Sequence, residues 1–158
     1  MPSSPPETNS TGAIPLPPRP ERYVALDYGA RRVGVAVSDD LGLYAHPRPA
    51  ITGLDGGPLR NRIAGLVASE EAGAVIVGVP FSMSGSESAQ TDEVRAFIST
   101  LRDELPVPVY EVDERLSSVQ AAGMLKGRER KRSGQRDSAA AAIMLQSYLD
   151  SRRGDTAT

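Results

Sequence analysis

Two runs of β-branched and apolar residues, Tyr23–Tyr28 (YVALDY) and Arg32–Ser38 (RVGVAVS), are separated only by Gly29-Ala30-Arg31. Runs this close, with a glycine between them, have room for a tight turn and little else, so the spacing predicts an antiparallel hairpin. Farther along, Ala74–Val79 (AVIVGV) is a short continuous apolar run closed by Pro80. Such a run marks a strand covered on both faces. A hairpin combined with a doubly covered strand calls for helices on two sides of one sheet.

The periodicity supplies those helices. Leu59, Ile63, Leu66 and Val67 fall at i, i+4, i+7 and i+8 within 57–71, and Val94, Phe97, Ile98, Leu101 and Leu105 line one side of 87–104. Ser117-x-x-Gln120 has the capping-box spacing that opens another helix. The last helix, expected over 137–150, is apolar nearly all round and should be buried. Residues 107–112 read as a strand, and a weaker one lies within 43–51, where Pro47 and Pro49 confine it to an edge or a short piece. The expected fold class is α/β, a three-layer domain whose central mixed sheet is flanked by helices.

Seven of the thirteen prolines fall within the first twenty residues, which lack the apolar pattern of a core. We read 1–21 as a disordered tail, 22–150 as one domain and 151–158 as a flexible C-terminal tail. The chain has no cysteine, and His46 is its only histidine. Disulfides, thiol nucleophiles and histidine-rich metal sites are thereby excluded, and any metal must be held by oxygen. The longest uncharged, mostly apolar run, Ser138–Leu149, is too short to cross a membrane, and the N-terminus lacks the pattern of a secretory signal. No membrane association and a cytoplasmic location are expected.

Acids interrupt this apolar pattern at three places. Asp27 sits inside the first strand on one face with Tyr23 and Ala25, where a carboxylate is unfavourable unless it is paired, hydrogen-bonded or bound to a cation. An Asx-type bridge to the Gly29–Arg31 turn is the bland explanation. Asp113 and Glu114 close a later strand, and alternation allows only one of them to point with Asp27. Asp137 precedes the last helix, where an N-cap role would suffice. Converging, these acids would suit Mg²⁺ or Mn²⁺ and metal-assisted phosphodiester hydrolysis.

The net charge of −2 is uneven. Lys126, Arg128, Arg130, Lys131, Arg132 and Arg136 against Glu129 give +5 within 126–136, leaving −7 elsewhere. This basic segment, read as a loop, ends one residue before Asp137 and is a candidate phosphate-binding surface, together with Arg31, Arg32 and Arg115. Ser117 and Ser118 have no histidine or lysine placed to activate them, and the glycine- and serine-rich 78–86 connection is as well explained as an ordinary loop.

The stretch Tyr23 through Asp39, then Val77-Gly78-Val79-Pro80 with Gly85, then Asp113-Glu114-Arg115-Leu116-Ser117-Ser118, and finally Asp137-Ser138-Ala139-Ala140 with Leu145-Gln146-Ser147-Tyr148-Leu149 closely resemble the YqgF family, also called RuvX. The resemblance runs in order through about 22–150. It implies an RNase H-like fold with a five-stranded sheet and a cytoplasmic bacterial nuclease. That nuclease would mature the 5′ end of pre-16S rRNA, with an earlier proposal of Holliday junction resolution on DNA. It further implies that Asp27, Glu114 or its neighbour Asp113, and Asp137 occupy the acidic metal-binding positions, with one metal or two left open. Structured RNA such as pre-16S rRNA, or branched DNA, is then the expected partner, with ribosome association and either a monomer or a homodimer. Two other readings stand beside it. A sugar-kinase or actin-like nucleotide module needs two such domains, and this chain has room for one. A non-catalytic RNA- or ribosome-associated protein would keep the acids without cutting.

Overall fold

The computed structural model describes residues 22–81, 88–114 and 138–156. Along the chain these form β1 (Tyr23–Tyr28), β2 (Arg32–Ser38), β3 (Ala45–Thr52), α1 (Gly56–Ser69), β4 (Ala74–Val79), α2 (Ala89–Glu104), β5 (Val109–Asp113) and α3 (Ala139–Thr156). The five strands make one sheet in the order β3-β2-β1-β4-β5. β1 and β2 form the expected antiparallel hairpin, with Leu26 opposite Val35 and Asp27 opposite Gly34. β4 runs parallel to β1, and β5 parallel to β4.

Strand alternation sorts the sheet into two unlike faces. One carries Val24, Leu26, Val33, Val35, Val37, Val75, Val77 and Val79, covered by Leu59, Ile63 and Val67 of α1 and Val94, Ile98 and Leu101 of α2. The other carries Tyr23, Ala25, Ala36, Ala74, Ile76 and Val112 under Ala141, Met144, Leu145 and Leu149 of α3. Branched side chains hold two helices off the first face, whereas alanines and glycines let α3 lie close on the second.

Boundaries shift from expectation for local reasons. β5 starts at Val109 rather than 107 because Pro106 and Pro108 lack the N–H a ladder needs, and the Pro108 carbonyl accepts from Val75 N–H at 2.9 Å. α2 starts after Ser88, which forms a reciprocal capping box with Thr91. The Thr91 hydroxyl also donates to the Pro80 carbonyl, tying the start of α2 to the end of β4. α3 runs past 150 to Thr156. Its apolar face ends near Leu149, but Gln146 with Asp150 and Arg152 with Tyr148 supply hydrogen bonds one turn apart that carry the helix on. β3 lies at a sheet edge, as its prolines required, and His46 is part of it opposite Val37. The tail 1–21, the helix expected from Ser117 and the basic 126–136 segment lie outside the described residues.

Candidate active site

β1, β4 and β5 point the same way, so their carboxyl ends form a common rim, the part of an open α/β sheet where ligands are bound. Asp27 stands near that end of β1, and Glu114 immediately follows β5. The ladder extends to Glu114, whose N–H donates to the Val79 carbonyl at 3.1 Å. β4 lies between the two strands that carry these acids, so their backbones are separated by roughly two inter-strand spacings of about 4.8 Å.

The side chains close that gap over a glycine. Asp27 extends the α3 face through Tyr23 and Ala25, and Glu114 extends the same face through Tyr110 and Val112. Between them β4 presents Gly78, paired with Val112. A Cβ there would lie 3.7 Å from Glu114 Cβ and only 2.6 Å from Met144 Sδ of α3. On the other side of Asp27, β2 presents Gly34. Asp27 is thus flanked by glycine on both neighbouring strands, which leaves room beside its carboxyl group.

The Asp27 and Glu114 carboxyl groups are hydrogen-bonded to each other. Both are half-buried. Burial raises the Asp27 pKa above its ordinary 3.8, and the bond from Glu114 partly offsets the rise. Burial, the Asp27 charge, their shared bond and the Asp113 charge push Glu114 up to about 7. Glu114 therefore holds the proton near neutrality and donates it to the Asp27 carboxylate. The hairpin turn closes on itself, Gly29 N–H donating to the Arg32 carbonyl at 3.0 Å, while the Asp27 carboxyl is engaged by Glu114.

Asp113 points with Val109 toward the α1/α2 face and acts on Glu114 through its charge. Arg31 and Arg32 are exposed at the hairpin turn, on the same rim as Asp27. Arg115, Lys126, Arg128, Arg130, Lys131, Arg132, Arg136 and Asp137 lie outside the described residues. The N-cap place of α3 belongs to Ser138, whose carbonyl accepts from Ala142 N–H at 2.9 Å. Sequence reasoning assigned Ser138, Gly34 and Gly78 no part in the acidic site. For the two glycines a signal existed, since glycine inside an apolar strand marks a close approach of other groups.

A mixed five-stranded sheet in this order, with helices on both faces, is the RNase H-like fold, and here it carries paired carboxyl groups at its carboxyl rim. The chain belongs to the RuvX family, described as Holliday junction resolvase, whose match spans residues 21–151. A protein of Roseiflexus sp. (strain RS-1) is 38% identical over 137 residues, covering 85% of this chain and 97% of its own. One from Halothermothrix orenii is 40% identical over 132 residues, covering 82% and 94%. Both carry the name "Putative pre-16S rRNA nuclease". Among solved structures, T. thermophilus RuvC in complex with a Holliday junction substrate aligns with a TM-score of 0.53 at 20% identity, covering 84% of this chain and 96% of that one. The fowlpox virus Holliday junction resolvase gives 0.53 at 11% identity, covering 82% and 99%. These two likenesses are of fold.

Proposed function

We propose that the chain is a divalent-metal-dependent endonuclease that hydrolyses phosphodiester bonds of structured RNA, acting in the bacterial cytoplasm at the 5′ end of pre-16S rRNA. The observation that carries this reading is the hydrogen-bonded Asp27–Glu114 pair. Two half-buried carboxyl groups in contact are unfavourable unless a proton or a cation lies between them. An all-oxygen donor set fits Mg²⁺ or Mn²⁺. No group of three potential ligands occurs among the described residues, so a further donor is needed, and Asp137 is our candidate because in the sequence only Ser138 separates it from α3. Once bound, the ion would supply Lewis-acid stabilisation of the phosphate and a more acidic water.

In this scheme Asp27 and Glu114 orient the ion. The Gly34 and Gly78 positions leave space for the scissile group, and Met144 keeps water from the floor of the site. Asp113 modulates Glu114 from the opposite face without touching the ion. Arg31, Arg32, Arg115 and the 126–136 cations neutralise substrate phosphates, consistent with a ribosome-associated precursor as partner.

The test is a side-by-side cleavage assay on a pre-rRNA leader and a four-way DNA junction with Mg²⁺ or Mn²⁺. Asp27→Asn should lose at least the ~10–100-fold typical of perturbing groups around a metal while retaining fold and RNA binding. Unchanged cleavage would sink the assignment. The family description favours a second reading, junction resolution on DNA. That reaction suits a homodimer presenting two sites, so preferential junction cleavage by a dimer would select it, whereas RNA cleavage by a monomer would select the first.

A further inference from the structure

Tyr28 ends β1 one residue after Asp27 and, by strand alternation, turns to the opposite face of the sheet, under α1 and α2. Its ring stacks there on Phe97 of α2, with centroids 4.3 Å apart and planes 21° from parallel. The two rings are not sealed into the core. Both are half-buried, and with Leu59, Arg60, Glu93 and Thr100 they line a cavity of about 200 Å³ between the two helices. Gly56, at the start of α1, edges it, and a Cβ at that position would meet no atom within 4 Å. That side of the cavity is open.

The lining decides what can enter. Arg60 Nε donates to both oxygens of Glu104, at 3.0 and 2.9 Å, so its charge is matched before any ligand arrives. Glu93 then adds a carboxylate, which leaves the lining no surplus of positive charge and opposes a phosphate. A flat, neutral heteroaromatic ring suits it better. Tyr28, Phe97 and Leu59 offer packing surface, and Glu93 can accept from an exocyclic amino group. Thr100 Oγ1 donates to the Ala96 carbonyl at 3.1 Å, which leaves its own oxygen able to accept. Drug-sized ligands occupy pockets of ~300–1,000 Å³, so this smaller cavity holds one ring system rather than a length of chain.

We infer that the cavity is a subsite for a single unpaired nucleobase of the substrate, with preference for a base that bears an amino group. Because Asp27 and Tyr28 are consecutive, a strand held at the acidic pair needs to pass only the end of β1 to turn a neighbouring base into it. This rests on the nuclease reading above and extends it to a part of the substrate away from the bond that is cut.

The test is fluorescence anisotropy of the full chain in EDTA, with labelled RNA and DNA duplexes carrying one bulged nucleotide, which is cytidine, uridine (thymidine in DNA) or abasic. The cytosine bulge should bind more tightly than the abasic one by about 5- to 100-fold, the range of base–aromatic stacking, with uracil or thymine between them. Ala96→Leu fills the cavity from an exposed helical position, and Phe97→Leu removes one ring. Both should erase the difference, whereas Ser99→Leu, exposed on α2 and outside the lining, should keep it. Circular dichroism checks each fold; if Phe97→Leu fails to fold, Ala96→Leu alone decides. Whichever duplex shows the difference identifies the source of the base. Equal binding of cytosine and abasic bulges, or a difference that survives in Ala96→Leu, would overturn this inference alone. Duplexes of neither kind binding at all would overturn the nucleic-acid reading and this inference with it.

Discussion

The proton on Glu114 governs how the acidic pair responds to pH. Its carboxyl pKa is raised from 4.5 to about 7, so the folded chain holds the proton more tightly than the unfolded one. The resulting stability is fully present below pH 4.5 and is lost as pH rises through about 7. In EDTA, the thermal midpoint should therefore fall over that interval, and Glu114→Gln, which cannot ionise, should flatten the fall in calorimetric scans. Because a cation must displace the proton, Mn²⁺ affinity should climb over the same interval. Glu114→Asp shortens by a methylene the reach across β4 and should weaken Mn²⁺ binding, whereas Asp113→Asn should leave it within a few-fold; isothermal titration separates the two. Alternation showed in the sequence that only one of these neighbours could join Asp27. Which one depends on the β4–β5 register, a long-range pairing that no local pattern encodes.

The elements that depend on local signals were legible. The hairpin strands and AVIVGV match their sequence runs, and α1 and α2 lie within two residues of the ends their apolar stripes predict. The meeting of α3 with the sheet was not legible, because it depends on which small residues oppose one another across strands distant in sequence. Gly78 is the sharpest case, being both an interior position of an apolar strand and the gap through which Glu114 reaches Asp27. Gly78→Ala would place a methyl group 2.6 Å from Met144 Sδ. It should cost about 1–3 kcal/mol by overpacking, read as a lower urea midpoint, and should weaken Mn²⁺ binding as Glu114 is displaced.

Across the whole molecule, a net charge of −2 conceals +5 within 126–136. Replacing Lys126, Arg128, Arg130, Lys131, Arg132 and Arg136 with glutamine should weaken RNA binding at low salt. It should also flatten the salt dependence by about 0.7 for each phosphate that is no longer neutralised, as fluorescence anisotropy at several salt concentrations can measure. The location of that charge relative to the acids was visible only as sequence adjacency to Asp137. Among the described residues, no helix is long and apolar enough to cross a membrane.

The proline-bearing edge strand constrains how two copies of the chain can meet. Proline is tolerated on an edge where its missing N–H would have faced outward, so Pro47 and Pro49 leave the outer rim of β3 short of hydrogens to offer an incoming strand. The irregular pairing between Val33 and Val35 further disrupts the rim as a template. Fusion of two sheets across β3 into a continuous ten-stranded one is therefore disfavoured. Any pairing of two copies is directed to other surfaces, and the same blunted rim opposes strand-by-strand polymerisation.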